Sequence, residues 1–147
     1  MIFSKKNIDK YNLQRFIDAQ QSPMMEWVIE ELSSGRKQGH WMWFIFPQIT
    51  GLGESHNSKL YAITSLAEAK AYWEHSQVGE RLRQCIELVL NSNKTAFEIF
   101  GKDIDVMKFH SCLTLFLQLD QSNVLIKQAM HQFFAGHLDQ KTIDLIH

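Results

Sequence analysis

Apolar residues recur every three or four positions along most of this chain, with polar residues between them, and that spacing predicts helices. Val78, Leu82, Cys85, Ile86 and Val89 form one clean stripe and predict a helix over residues 77–91. Val106, Phe109, His110, Leu113, Phe116 and Leu117 form a second, long and rather apolar, and Val124, Ile126, Lys127, Met130, Phe133 and Phe134 a third, which Gly136 ends. Nearer the start, Leu13, Phe16, Ile17 and Gln20 mark a short helix. Met24, Trp27, Val28 and Leu32 follow at helical spacing behind the start signal Ser22-Pro23 and before a stop at Gly35.

Capping patterns add two more starts. Ser65 to Glu68 and Thr95 to Glu98 both match the capping box, in which a hydroxyl and a glutamate satisfy each other's end of the helix. Asp139 can cap a last turn through Ile143 and Ile146. The run from Trp41 to Pro47 breaks the pattern: it is apolar throughout, too short to span a bilayer, and reads equally as a buried strand or a buried helix. Leu60 to Ile63 reads as a short strand or an extended connector. The expected fold is mostly α: a compact multi-helical single domain over residues 1–147, built around the aromatic segment, with room for one short strand pair.

Composition narrows the class. The 147 residues are 45% hydrophobic and 21% charged, values of an ordinary folded domain. A net charge of −1 gives no bulk attraction to nucleic acid or to an anionic membrane, so neither partner is expected. Cys85 and Cys112 lie far apart in sequence and form no Cys-x-x-Cys pair. Together with an N-terminus, Met1 to Lys6, that lacks a secretory apolar region, they point to a reduced, cytoplasmic protein.

Candidate chemistry gathers on both sides of the aromatic run. Arg36, Lys37 and His40 precede it, and could clamp a phosphate or carboxylate while Trp41 or Trp43 stacks on a ring. Arg36 and Lys37 equally suit the C-terminal carbonyls of the preceding helix. Gln48 and the loop Gly51-Leu52-Gly53 follow the run; the loop can approach an anion or simply turn, and it matches neither a dinucleotide fingerprint nor a P-loop. Asp105, Lys108 and Ser111 are spaced three apart and lie close to one helix face, where Asp105 and Lys108 could serve as base and electrostatic stabiliser. Alternatively Asp103 or Asp105 caps the helix and Lys108 makes an exposed ion pair. If a pocket exists, Lys37 and His40 should approach the face carrying Asp105 and Lys108. The histidines and cysteines show no metal-ligand spacing, and no metal or other cofactor is expected.

Several of these segments carry a resemblance. Leu13-Gln14-Arg15-Phe16 with Ala19-Gln20, Gly35-Arg36-Lys37, His40 to Gln48, Gly51-Leu52-Gly53, Ile99-Phe100-Gly101 and Thr114-Leu115-Phe116 resemble the bacterial family called domain of unknown function 1810. The resemblance covers nearly the whole chain. It implies a compact, mostly helical, bacterial cytoplasmic protein and implies no reaction. The layout of Phe16, Ala19 and Gln20, then Gly35-Arg36, then Asp105 and Lys108 is also similar, over few residues and at different spacings, to N-glycosidases acting on ADP-ribose-like and riboflavin-precursor N-ribosides.

Two function classes follow. In the first, an anionic, nucleotide-like small molecule is bound or processed in a polar pocket beside the aromatic core, with Gln20, Arg36, Lys37, Trp41 and Gln48 as ligand contacts and Asp105, Lys108 and His40 as catalytic groups. In the second, the chain is a non-catalytic protein-interaction domain. The oligomeric state is not legible at this level.

Overall fold

The computed structural model describes residues 8–146, so the N-terminal stretch Met1 to Lys6 lies outside the described residues. Among the described residues ten helices follow one another: α1 (Gln14–Ala19), α2 (Met24–Ser33), α3 (Met42–Ile45), α4 (His56–Leu60), α5 (Leu66–Glu74), α6 (Val78–Leu90), α7 (Ala96–Phe100), α8 (Asp103–Leu117), α9 (Val124–Phe134) and α10 (Gln140–Leu145). Among the described residues there is no β-strand. The strand pair allowed by the sequence reduces to one isolated bridge between Ile49 and Ile63.

Two helices organise the rest. α6 packs against α2, α3, α5 and α9, and α8 against α3, α5, α7, α9 and α10. A helix surrounded in this way must be apolar on nearly every face, and α8 is buried continuously from Ser111 to Leu117. Of the stripe expected from periodicity, Phe109, Leu113, Phe116 and Leu117 are buried and Val106 and His110 half-buried, while Cys112, Thr114 and Leu115 are buried outside it. α6 keeps one apolar face, Val78, Leu82, Cys85, Ile86 and Val89, as the spacing predicts. Gly79 permits its close approach to α5: a methyl group there would sit 2.2 Å from the Trp73 carbonyl oxygen.

The aromatic run folds into one helical turn for a local reason. Phe46 precedes Pro47, whose ring excludes the preceding residue from helical geometry; Phe46 is extended at φ −121° and ψ 73°, and α3 stops at Ile45. Trp41, Met42, Phe44, Ile45 and Phe46 are buried, whereas His40 is exposed and Trp43 half-buried. Phe46 meets Phe109 edge-on at 5.0 Å and Phe100 at 5.9 Å between ring centres. Such pairs add about 0.5–1.5 kcal/mol each beyond burial.

Three local expectations need correction. Met25, not Met24 or Trp27, shares the buried face of α2 with Val28 and Leu32, and Trp27 is 52% exposed. Ser22 caps no backbone group; its hydroxyl bonds the Glu26 carboxylate. Ser65 does accept the Glu68 N–H, but the Glu68 carboxylate turns away to Thr64 and to Arg15, 2.8 Å distant, so the box is half formed. Thr95 and Glu98 complete theirs, and Asp139 caps α10.

Candidate functional site

The loop joining α2 to α3 is shaped by one carboxylate. Glu31 Oε1 accepts from the backbone of Gln38 at 2.7 Å, the backbone of Gly39 at 2.9 Å and Trp41 Nε1 at 2.9 Å. Burial works to raise the Glu31 pKa, but the Gly39, Gln38 and Trp41 hydrogen bonds and the Lys37 charge outweigh it and hold the carboxyl below its usual value. The Lys37 N–H bonds the Ile99 carbonyl at 2.7 Å. With both ends of the loop fixed, the Lys37 side chain turns inward to Asp105 on the first turn of α8.

Lys37 Nζ and Asp105 Oδ2 are 3.0 Å apart, with side chains 6% and 8% exposed. Lys108, one turn further along α8, comes within 3.8 Å of the other Asp105 oxygen and is 13% exposed. No side chain caps α8, so neither Asp103 nor Asp105 acts as the cap, and the ion pair of Lys108 is mostly enclosed, not exposed. Each lysine also covers an indole, Lys37 that of Trp41 at 5.3 Å and Lys108 that of Trp43 at 4.7 Å. Burial holds the Lys108 ammonium below the ordinary lysine range; Asp105 opposes this, and Lys37 and Lys102 reinforce it.

Two cavities lie on either side of the Lys108–Trp43 pair. The smaller, about 120 Å³, is bordered by Lys37, Lys102 and Lys108, with Asp105 as the single carboxylate and His40 at its edge. The larger, about 390 Å³, has an apolar side of Trp43, Leu52, Ile104 and Met107. Its polar side carries Gln48, Ser55, Ser58, Lys108 and Ser111, and its charges are more balanced, with Lys141 set against Glu54 and Asp139. Trp43, Ile104 and Lys108 line both spaces. Trp43 Nε1 is buried without a hydrogen-bond partner, a costly condition for a donor. A groove near Tyr11 and His75 is larger, about 520 Å³, but no buried ion pair borders it. Three lysines around one carboxylate and an unpartnered N–H at the same wall can hold an anion at the small cavity and a larger, partly apolar body in the other.

Of the residues singled out in the sequence, Lys37, His40, Trp41, Asp105 and Lys108 surround the small cavity, and Gln48 lines the large one. Trp41 takes part through its ring alone, because its N–H is committed to Glu31. Gln20 lines neither space. It is 1% exposed, donates to the Phe44 carbonyl at 2.7 Å and accepts from Arg81 at 3.2 Å, which makes it an internal strut. Arg36 is exposed and also lies outside both cavities. The layout shared with N-glycosidases therefore does not converge on one site. Sequence reasoning missed Ser55, Ser58, Met107 and Lys141. Gly53 was the available signal for the serines, since a methyl group there would meet Ser58 Oγ at 2.4 Å and the loop must press against α4.

The α9–α10 connection is tied to α8 at the cavity wall. The Asp139 N–H donates to Thr114 Oγ1 at 3.0 Å, and Ser111 Oγ meets Thr142 Oγ1 at 2.9 Å. His110 Nε2 lies 2.6 Å from the His137 carbonyl, which only accepts, so that nitrogen carries the proton. Among the described residues no group of His, Cys, Asp and Glu side chains is arranged to hold a metal ion, and no helix is long and apolar enough to cross a membrane.

Fold and site define a small, all-helical domain with a lysine-walled cleft beside its aromatic turn. The chain matches the family model described as protein of unknown function (DUF1810) over residues 10–146, and it belongs to that family. It is similar to the crystal structure of the conserved hypothetical protein Rv1873 from Mycobacterium tuberculosis, with 41% identity over 94% of this chain and 98% of that one and a TM-score of 0.89. At that identity the likeness extends to the arrangement of the helices, and the relative is bacterial, as the sequence resemblance implies. No curated protein matches the chain.

Proposed function

We propose that this protein binds an anionic, nucleotide-like small molecule across the two cavities, with its negative group at Lys37, Lys102 and Lys108 and its body against Trp43 and Leu52. The observation that carries this reading is the position of Lys108. It is 13% exposed, shares Asp105 with Lys37, and lies over the Trp43 ring at the boundary of both spaces. An enclosed cation with half a counter-ion is costly; a bound anion supplies the missing charge. In this reading Asp105 holds Lys37 in place, and Lys108 stabilises the anion. The buried free thiols of Cys85 and Cys112 fit a cytoplasmic setting.

A second reading, a protein-interaction domain, is favoured by Ile104 and Met107, each 58% exposed on α8 beside the cleft. One experiment separates the two. Melting temperature is followed with adenosine 5′-monophosphate, ribose 5-phosphate and inorganic phosphate, since a ligand at 100 times its Kd stabilises by about 2.7 kcal/mol. The binding reading expects a saturable rise with at least one of these probes and its loss in Lys108→Met. No shift with any probe across the millimolar range sinks it and leaves the surface reading.

A further inference from the structure

Ser111, Thr142 and Asp139 form a hydrogen-bonded chain whose two ends, Ser111 and Asp139, line the large cavity, and chemistry sets its direction. The Asp139 carboxylate can only accept; its Oδ2 takes the Thr142 hydroxyl at 2.5 Å and the Thr142 backbone N–H at 3.3 Å. A threonine hydroxyl has one proton. With that proton given to Asp139, Thr142 Oγ1 must accept in its 2.9 Å contact with Ser111, and Ser111 must donate. Both hydroxyl residues are buried, Ser111 at 2% and Thr142 at 0% exposure, so water does not readily compete for these bonds. The Asp139 backbone is itself held by Thr114, which keeps the acceptor end from drifting.

A serine hydroxyl ordinarily rotates to donate or accept as its surroundings require. Here the rotation is fixed, and only lone pairs remain. Ser111 lines the large cavity one helical turn from Lys108, which borders both spaces. The wall thus offers a positive charge and, beside it, an acceptor that cannot donate.

We propose that Ser111 is a specificity-determining acceptor for a hydroxyl or amino group on the molecule whose anion Lys108 holds, so that the occupant is a hydroxylated or aminated phosphate or carboxylate and not a bare anion. This rests on the anion-binding reading above. A molecule that brings a donor satisfies Ser111. One that brings only acceptors meets it with lone pairs on both sides and loses roughly ten-fold or more in affinity.

The chain of hydroxyls also docks α10 on α8, so stability alone cannot identify the role, and the test reads discrimination between probes. Binding of ribose 5-phosphate and of inorganic phosphate is measured by calorimetry for wild type, Ser111→Ala, Thr142→Val and Thr142→Ser, each melted separately to confirm folding. Wild type is expected to prefer ribose 5-phosphate by at least ten-fold. Ser111→Ala should remove most of that preference by weakening ribose 5-phosphate, Thr142→Val, which frees the Ser111 hydroxyl to donate as well as accept, should narrow it by strengthening phosphate, and Thr142→Ser, which preserves the relay, should keep it. If Ser111→Ala does not fold, Thr142→Val alone carries the comparison. Phosphate binding without a preference in wild type, or a preference that survives both variants, overturns the inference and leaves the anion site standing. If neither probe binds wild type, the anion site falls and the role of Ser111 with it.

Discussion

Lys37 Nζ and Asp105 Oδ2 meet at 3.0 Å behind the aromatic turn, one from the loop after α2 and the other from the first turn of α8. The pair closes that loop onto the central helix and at the same time occupies half of the only carboxylate that Lys108 can share at the small cavity. Asp105 therefore serves two neighbours: the group that holds the loop in place also limits how well Lys108 is neutralised.

Breaking this pair should be expensive. Asp105→Asn leaves the Lys37 ammonium enclosed without a counter-charge and is expected to cost about 3–5 kcal/mol in urea denaturation. Lys37→Met combined with Asp105→Leu should recover only part of that loss, because Lys37 no longer remains as an isolated buried charge while the enclosed Lys108 still loses its partner. A single Asp105→Asn variant as stable as wild type would show that the pair is solvated and holds nothing.

Lys108→Met is expected to act in the opposite direction. Burial opposes the charge on this lysine, and a methionine removes that charge while its thioether can still lie against the Trp43 ring, so the ligand-free protein should gain about 0.5–2 kcal/mol. The pH arm has a definite sign. The native pKa of Lys108 is lowered from 10.5, so just below that value the unfolded chain binds more protons and stability rises with pH. Melting curves of wild type against Lys108→Met between neutral pH and pH 10.5 should show this upward component in wild type alone. Its presence in both proteins would assign it elsewhere.

Glu31 gives the acid-side counterpart. Its native pKa lies below the ordinary 4.5, so its contribution is present above that value and fades as pH falls through the lower native one. Glu31→Gln should lose stability at pH 7, where one oxygen no longer carries the charge that binds Gln38, Gly39 and Trp41, and should converge with wild type toward pH 3. Parallel pH profiles for the two proteins would count against this account of the loop.

What could be read in the sequence was mainly local. α6 declared itself through Val78 to Val89, and the Thr95–Glu98 and Asp139 caps through residues three apart, because a helix and its cap are determined within a few positions. The spacing around Met24 and Trp27 misled because two registers of α2 are nearly equivalent, and packing on α6 selects the one with Met25 inside. Gln20 looked like a ligand contact because a polar residue at an apolar stripe can bind outward or brace inward; only the Phe44 carbonyl and Arg81, contributed by distant segments, decide between these. The meeting of Lys37 with Asp105 was an expectation from charge. The relay from Ser111 through Thr142 to Asp139 was invisible, since it depends on how α10 crosses α8.

The two thiols supply a check on core packing. Cys85 and Cys112 are fully buried; burial pushes the Cys85 thiol up to about 12, opposed by Arg81, and raises Cys112 well above its ordinary range. Both should resist a neutral alkylating reagent at pH 8 in the folded protein and react promptly in denaturant. Rapid native-state labelling of either would mean that the core around that thiol opens far more readily than its burial implies.

The central claim is that Lys108 binds a negative charge from outside the chain. The most direct measurement is calorimetric titration of adenosine 5′-monophosphate into wild type and Lys108→Met at low and at moderate salt, with both proteins shown to be folded. The account expects saturable binding to wild type that weakens as salt rises, and at least ten-fold weaker binding to a Lys108→Met protein that melts no lower. Equal affinity in the two proteins, or no binding heat in wild type at millimolar nucleotide, would contradict it.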